Sequence, residues 1–87
     1  MNCDDVAVVV PIFTIPSEST RRRGEIRIAL KRWRGRESLD VRWWAESSGQ
    51  YRATMRGASI PLHHLESFAS AVADALRRVQ AGDGLPS

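Results

Sequence analysis

Residues 25 to 56 contain three short runs in which apolar and polar positions alternate, and the polar rows are rich in arginine and tryptophan. In residues 25–33 a two-residue period sets Ile26, Ile28 and Leu30 against Arg27, Lys31 and Trp33. In residues 39–45 the apolar row is Leu39, Val41, Trp43 and Ala45, which leaves Arg42 and Trp44 on the other side. Residues 51–56 split into Tyr51, Ala53 and Met55 against Arg52, Thr54 and Arg56. If every apolar row faces a core, the polar rows merge into one surface of Arg27, Lys31, Trp33, Arg42, Trp44, Arg52 and Arg56. Guanidinium groups present planar forks to phosphate and a flat face to bases. Indoles stack on any base. Together they suit an unpaired nucleic-acid strand, with cations releasing counterions from phosphates while aromatics hold the bases. The plainer alternatives are cross-strand aromatic packing and a solvated sheet face. A shortage of acids facing the arginines weighs against the second.

The charge is concentrated where these runs lie. Between Arg21 and Arg56 there are eleven Lys or Arg and four Asp or Glu, although the whole chain carries only +3. Twelve of the thirteen basic residues are arginine, a bias that a GC-rich genome also produces.

Three antiparallel strands and their turns must position this surface. Arg34-Gly35-Arg36-Glu37 reads as one hairpin turn and Ser47-Ser48-Gly49 as another. Arg56-Gly57-Ala58-Ser59 leaves the sheet, with room for a short fourth strand before Pro61. From about Leu62 to Ala81 the period becomes helical, with Leu65, Phe68, Ala69, Val72, Leu76 and Val79 on one stripe. Pro61 suits the first turn, Arg77 and Arg78 complement the negative end of the helix dipole, and Gly82 is the expected stop. Ala69, Ala71, Ala73 and Ala75 permit close approach of another element, with core on one side of the helix and a dimer contact on another.

Upstream, Val6 to Val10 could be an extra edge strand, or residues 1–16 an apolar arm that packs on a partner chain. Pro11 and Pro16 argue against a long regular strand. Residues 17–24 lack apolar periodicity and read as a basic linker. The division expected is an arm and linker over 1–24, a folded domain over 25–82 and a tail over 83–87.

The order of strands, basic hairpin Arg32-Trp33-Arg34-Gly35-Arg36, strand Asp40-Val41-Arg42-Trp43-Trp44, exit Arg56-Gly57-Ala58-Ser59-Ile60 and one long helix resembles the positive cofactor four family of transcriptional coactivators. The likeness covers roughly Glu25 to Val79. It implies an α+β fold, a four-stranded antiparallel sheet followed by one long C-terminal helix, assembled as a homodimer that binds single-stranded DNA on its sheet faces. It also implies that Trp33 stacks on a base, that Arg34 and Arg36 contact phosphates from the hairpin, that Arg42 contacts the strand, and that Arg56 and Gly57 correspond to the family's Lys-Gly-Ile-Ser-Leu signature. Met55 departs from the basic residue often found there, and the second hairpin is about one residue short.

The expected function is therefore single-stranded DNA binding of low sequence specificity, in transcription, replication or repair. RNA binding through the same surface and a protein-interaction module with no nucleic-acid role are the competing readings. Ser59, Asp40 and a histidine lack any nucleophile-elbow context, so no enzyme is expected. His63 and His64 have no cysteine near them and are read as surface residues, so neither a metal nor a cofactor is expected, and no small-molecule substrate. A chain of 87 residues allows one domain, which buries only about 60% of its unfolded surface, and association would help it. The single cysteine, Cys3, excludes an intrachain disulfide and favours a reducing compartment, the cytoplasm, with nucleoid association in a bacterium or a nuclear place in a eukaryote. The apolar run Val6 to Ile15 follows two aspartates, is broken by Pro11 and is too short to span a bilayer.

Overall fold

The computed structural model describes residues 8–19 and 21–82. Cys3 and the expected tail lie outside them. Four strands, β1 (Val8–Pro16), β2 (Gly24–Trp33), β3 (Arg36–Ser47) and β4 (Gln50–Pro61), form one antiparallel sheet in chain order. A 3-10 turn, Leu62–His64, leads into helix α1 (Leu65–Gln80). The α+β architecture is as the sequence indicates, but its four strands are divided differently.

Both predicted hairpins close on two-residue turns. Trp33 pairs with Arg36 around Arg34 and Gly35, whose φ values are 52° and 74°. Ser47 pairs with Gln50 around Ser48 and Gly49, at 54° and 77°. Two consecutive positive φ angles make type I′ turns, whose twist matches that of the flanking strands. Arg34 and Ser48 adopt this geometry without being glycine.

Among the described residues the sheet begins at Val8, inside the expected arm, and Val6 of the expected edge strand lies outside them. β1 pairs with β2 from Val8↔Arg32 to Pro16↔Glu25, and its register shifts between Pro11 and Phe13. Pro11 does not end the strand, because an edge strand has an unpaired side where a missing N–H is tolerated, and Pro16 is its last residue. The expected linker is the loop of this hairpin: the Ser17 amide donates to the Gly24 carbonyl at 3.0 Å, and the Glu46 amide to the Arg23 carbonyl at 2.9 Å.

β4 unites the predicted third strand and the short fourth into one. Its pairing with β3 jumps from Arg42↔Gly57 to Trp44↔Ala53, so Thr54, Met55 and Arg56 bulge opposite Trp43 alone. Gly57 anchors the bulge with φ of 150°, and a β-carbon there would stand 2.2 Å from the Val41 carbonyl oxygen. No larger residue fits that approach.

Ile26, Ile28 and Leu30 lie opposite Trp43, Val41 and Leu39, which gives one apolar sheet face. It is only half-buried; among the described residues Ala29 and Asp40 alone are buried. The helix does not cover this face as expected. Its stripe becomes more exposed along its length, with Phe68 at 37%, Val72 at 54%, Leu76 at 56% and Val79 at 66%. The helix stops where the sequence indicates, the Gly82 amide donating to the Val79 carbonyl at 3.2 Å with φ of 80°. No described helix is long and apolar enough to cross a membrane.

Candidate nucleic-acid interface

The register sets Arg27 opposite Arg42, Ala29 opposite Asp40, Lys31 opposite Ser38 and Trp33 opposite Arg36. These side chains share the face away from Trp43, as alternation predicts for Arg27, Lys31, Trp33, Arg42 and Trp44. Trp33 stands at the hairpin end, 52% exposed, with the Arg34 guanidinium 4.5 Å from its ring centroid. Trp44 is half-buried beneath Arg27, whose guanidinium lies 4.1 Å from the Trp44 centroid and 5.2 Å from that of Tyr51. Each contact is within the range of a cation–π attraction. Beside Trp33 is a hollow of about 380 Å³ whose lining includes Lys31, Trp33, Arg36, Asp40, Arg42 and Ser59. On its β1 side a second hollow of about 310 Å³ is bordered by Phe13, Thr14, Arg27 and Trp44.

Asp40 organises the centre of this face. One carboxylate oxygen accepts from Arg42 Nη2 at 3.0 Å and from the Ser59 hydroxyl at 2.9 Å, and the other lies 3.2 Å from Lys31 Nζ. One carboxylate thereby ties β2, β3 and β4 together. Burial, the largest single influence, pushes its pKa up, but the hydrogen bonds from Arg42, Ser59 and Lys31 together outweigh burial and hold it below the ordinary value. The same partnership raises the Arg42 guanidinium, its hydrogen bond to Asp40 prevailing over desolvation. Arg27 is paired as well, its Nε donating to Glu25 at 2.6 Å. The expected shortage of facing acids is thus incorrect. Two carboxylates accompany Arg27, Lys31 and Arg42, because Ala29↔Asp40 and Glu25↔Trp44 are register pairs on the same face.

Arg52 and Arg56 do not join this surface. Arg52 pairs with Ala45, on the Trp43 side, and Arg56 borders a hollow with Ile26, Val41 and Trp43. Alternation within β4 is as expected, but its rows are matched to the opposite faces. Tyr51, read as apolar core, instead pairs with Glu46 and meets Arg27 on the candidate surface. The two-residue turn decides this, since Ser47↔Gln50 forces Ala45↔Arg52. Gly57 lies in the strand opposite Arg42, where its lack of a side chain permits close approach to β3. Thr54 stabilises the bulge: its hydroxyl donates to the Trp43 carbonyl at 2.7 Å, and its own carbonyl accepts from Arg42 Nη1 at 2.8 Å.

The His63 and His64 rings lie 4.1 Å apart, and no group of three metal-ligating residues occurs among the described residues. Comparisons with protein-family models, curated proteins and solved structures give no match.

Proposed function

We propose that this chain binds single-stranded nucleic acid, DNA in preference to RNA and with little sequence preference, as a homodimer resembling the positive cofactor four coactivators. The observation that carries this reading is the surface between Trp33 and Trp44, where two indoles and Tyr51 are accompanied by Arg27, Lys31, Arg34, Arg36 and Arg42. Base stacking on the indoles supplies affinity without reading sequence, while the cations follow the phosphates. Asp40 sets Lys31 and Arg42 in fixed positions, so the face is preorganised and part of its positive charge is already neutralised. Arg36 makes no ion pair among the described residues, which puts uncompensated charge beside the exposed Trp33.

Association follows from the incomplete core. The helix stripe from Phe68 to Val79 and the β1 residues Val8, Val10 and Ile15 are exposed apolar groups on a chain with few buried residues. A second copy would cover the helix stripe and the Val8–Val10 end of β1, leaving the Trp33–Trp44 face open to the strand. A titration of tryptophan fluorescence with matched single-stranded DNA, single-stranded RNA and duplex DNA tests the reading. Quenching is expected first with single-stranded DNA. Equal, weak responses to all three would reject it, and a stronger response to RNA would reassign the strand.

A further inference from the structure

The hollow on the Trp43 side is about 330 Å³, with a floor of Ile26, Val41 and Trp43 and with Arg22, Arg56 and Ser17 at its border. Arg22 and Arg56 make no ion pair among the described residues, and none of the lining residues is acidic. The Trp44 face is different, since its central cations are matched by Asp40 and Glu25. Positive charge without a partner therefore collects around an indole on the side away from the proposed stacking surface. Arg42 connects the two, because it borders both this hollow and the one between Trp33 and Asp40. Its guanidinium is bonded to the Thr54 carbonyl, within the bulge that interrupts β3–β4 pairing at Trp43.

We infer that the Trp43 hollow is a second nucleotide subsite, entered by the same single strand after it turns over β4 at the bulge. In this subsite a base lies against the Trp43 indole, and the adjoining phosphate is held between Arg22 and Arg56 with the Ser17 hydroxyl nearby. A phosphate suits two guanidinium groups with no competing carboxylate, and an apolar floor with an indole suits a base. The inference rests on the single-strand reading and adds a path to it. A strand too short to reach past β4 fills only the Trp44 face, whereas a longer one occupies both.

The test uses thymidine oligomers of about 4 and about 16 nucleotides, the span of single-strand site sizes. In the full chain carrying Trp33→Phe and Trp44→Phe, Trp43 is the remaining tryptophan, and its emission should be quenched by the long oligomer and not by the short one. In the otherwise native chain, Arg22→Ala with Arg56→Ala should flatten the salt dependence of long-oligomer binding by about 1.4 in log-log slope, at about 0.7 per phosphate, and leave that of the short oligomer unchanged. Unmoved Trp43 emission while fluorescence anisotropy of a labelled long oligomer shows it bound, or an unaltered slope with the long oligomer, overturns the subsite while leaving the Trp44 face intact. A change of assembly mass in the double variant also overturns it, because the hollow is then a contact between copies. If the native chain binds neither oligomer, the single-strand reading fails and the subsite fails with it.

Discussion

The Arg27 guanidinium lies over the Trp44 indole, 4.1 Å from its centroid, while Arg27 Nε is fixed to Glu25 at 2.6 Å. One face of Trp44 is therefore already occupied by a cation held in place by a carboxylate. Trp33, with 52% exposure, keeps far more of its surface for a base. The two indoles are unequal partners for a strand.

Trp33→Ala should weaken binding by about 1 to 3 kcal/mol, the value of a lost stack, with no shift in melting temperature. Trp44→Ala should reduce both affinity and stability, since it removes the support for Arg27 and Tyr51. Trp43→Ala should chiefly destabilise the sheet, by less than the roughly 3 to 5 kcal/mol of a fully buried tryptophan, because Trp43 is half-buried. Titrations paired with thermal melts distinguish the three; a large melting loss in Trp33→Ala would contradict its placement.

Asp40→Ala leaves Lys31 and Arg42 without their carboxylate. Breaking a buried pair costs about 3 to 5 kcal/mol, and the partial exposure of both partners lowers the expectation to about 2 kcal/mol. Because the folded pKa of Asp40 lies below its ordinary value of 3.8, its stabilisation is present above that value and is lost as pH falls through the folded pKa. Urea melts across the acid range should show this loss in the native chain and a shallower one in Asp40→Asn. Identical acid profiles would remove Asp40 from the account.

Deleting residues 1–16 removes β1 and opens the outer edge of β2 along the whole of their pairing. Read from sequence, removal of residues 1–20 should leave the fold and most strand binding intact; with β1 in the sheet, loss of residues 1–16 should already abolish cooperative unfolding. Circular dichroism during denaturation decides the matter, and a sharp transition in the shortened chain would make β1 dispensable.

Arg36→Ala should flatten the salt dependence of binding by about 0.7 in log-log slope, one phosphate contact on a single strand. Lys31→Ala should flatten it less, because Lys31 is already paired with Asp40 at 3.2 Å. Equal slopes in both variants and the native chain would place the phosphates elsewhere.

Val72→Asp and Leu76→Asp introduce charge into the exposed helix stripe. If the stripe joins two copies, sedimentation should show a dimer for the native chain and a monomer for either variant at micromolar concentration. A native monomer with full helical signal would refute the dimer.

Alternation made much of the sheet legible. Ile26, Ile28 and Leu30 share a face with Trp43, Val41 and Leu39 because the Arg34-Gly35 turn fixes that register. The Ser48-Gly49 turn carried the same information for β4, and counting outward from it places Arg52 beside Ala45 and Tyr51 beside Glu46. Matching rows by polarity instead puts Arg52 and Arg56 on the Trp44 face, which the register excludes. The bulge at Thr54 to Arg56 has a local cue in Gly57, but a glycine there also reads as a strand exit. β1 was obscured by its prolines, whose tolerance depends on lying at an edge, a property of the assembled sheet. The pairing of Asp40 with Lys31 was likewise hidden, since it joins neighbouring strands rather than neighbours in sequence.

The strand order β1-β2-β3-β4 makes each sheet neighbour a chain neighbour as well, so the meander can assemble by successive zipping of hairpins. Low sequence separation between partners favours fast folding, and three or more strands with an apolar face are what a meander needs to persist. If a second copy covers the exposed helix stripe, as proposed, that contact can form only on an encounter between chains. Refolding should consequently divide into a first-order step that builds the Trp33–Trp44 surface and a second-order step, accelerated by protein concentration, that covers the stripe. On dilution only the second step is reversed, because the first is independent of protein concentration.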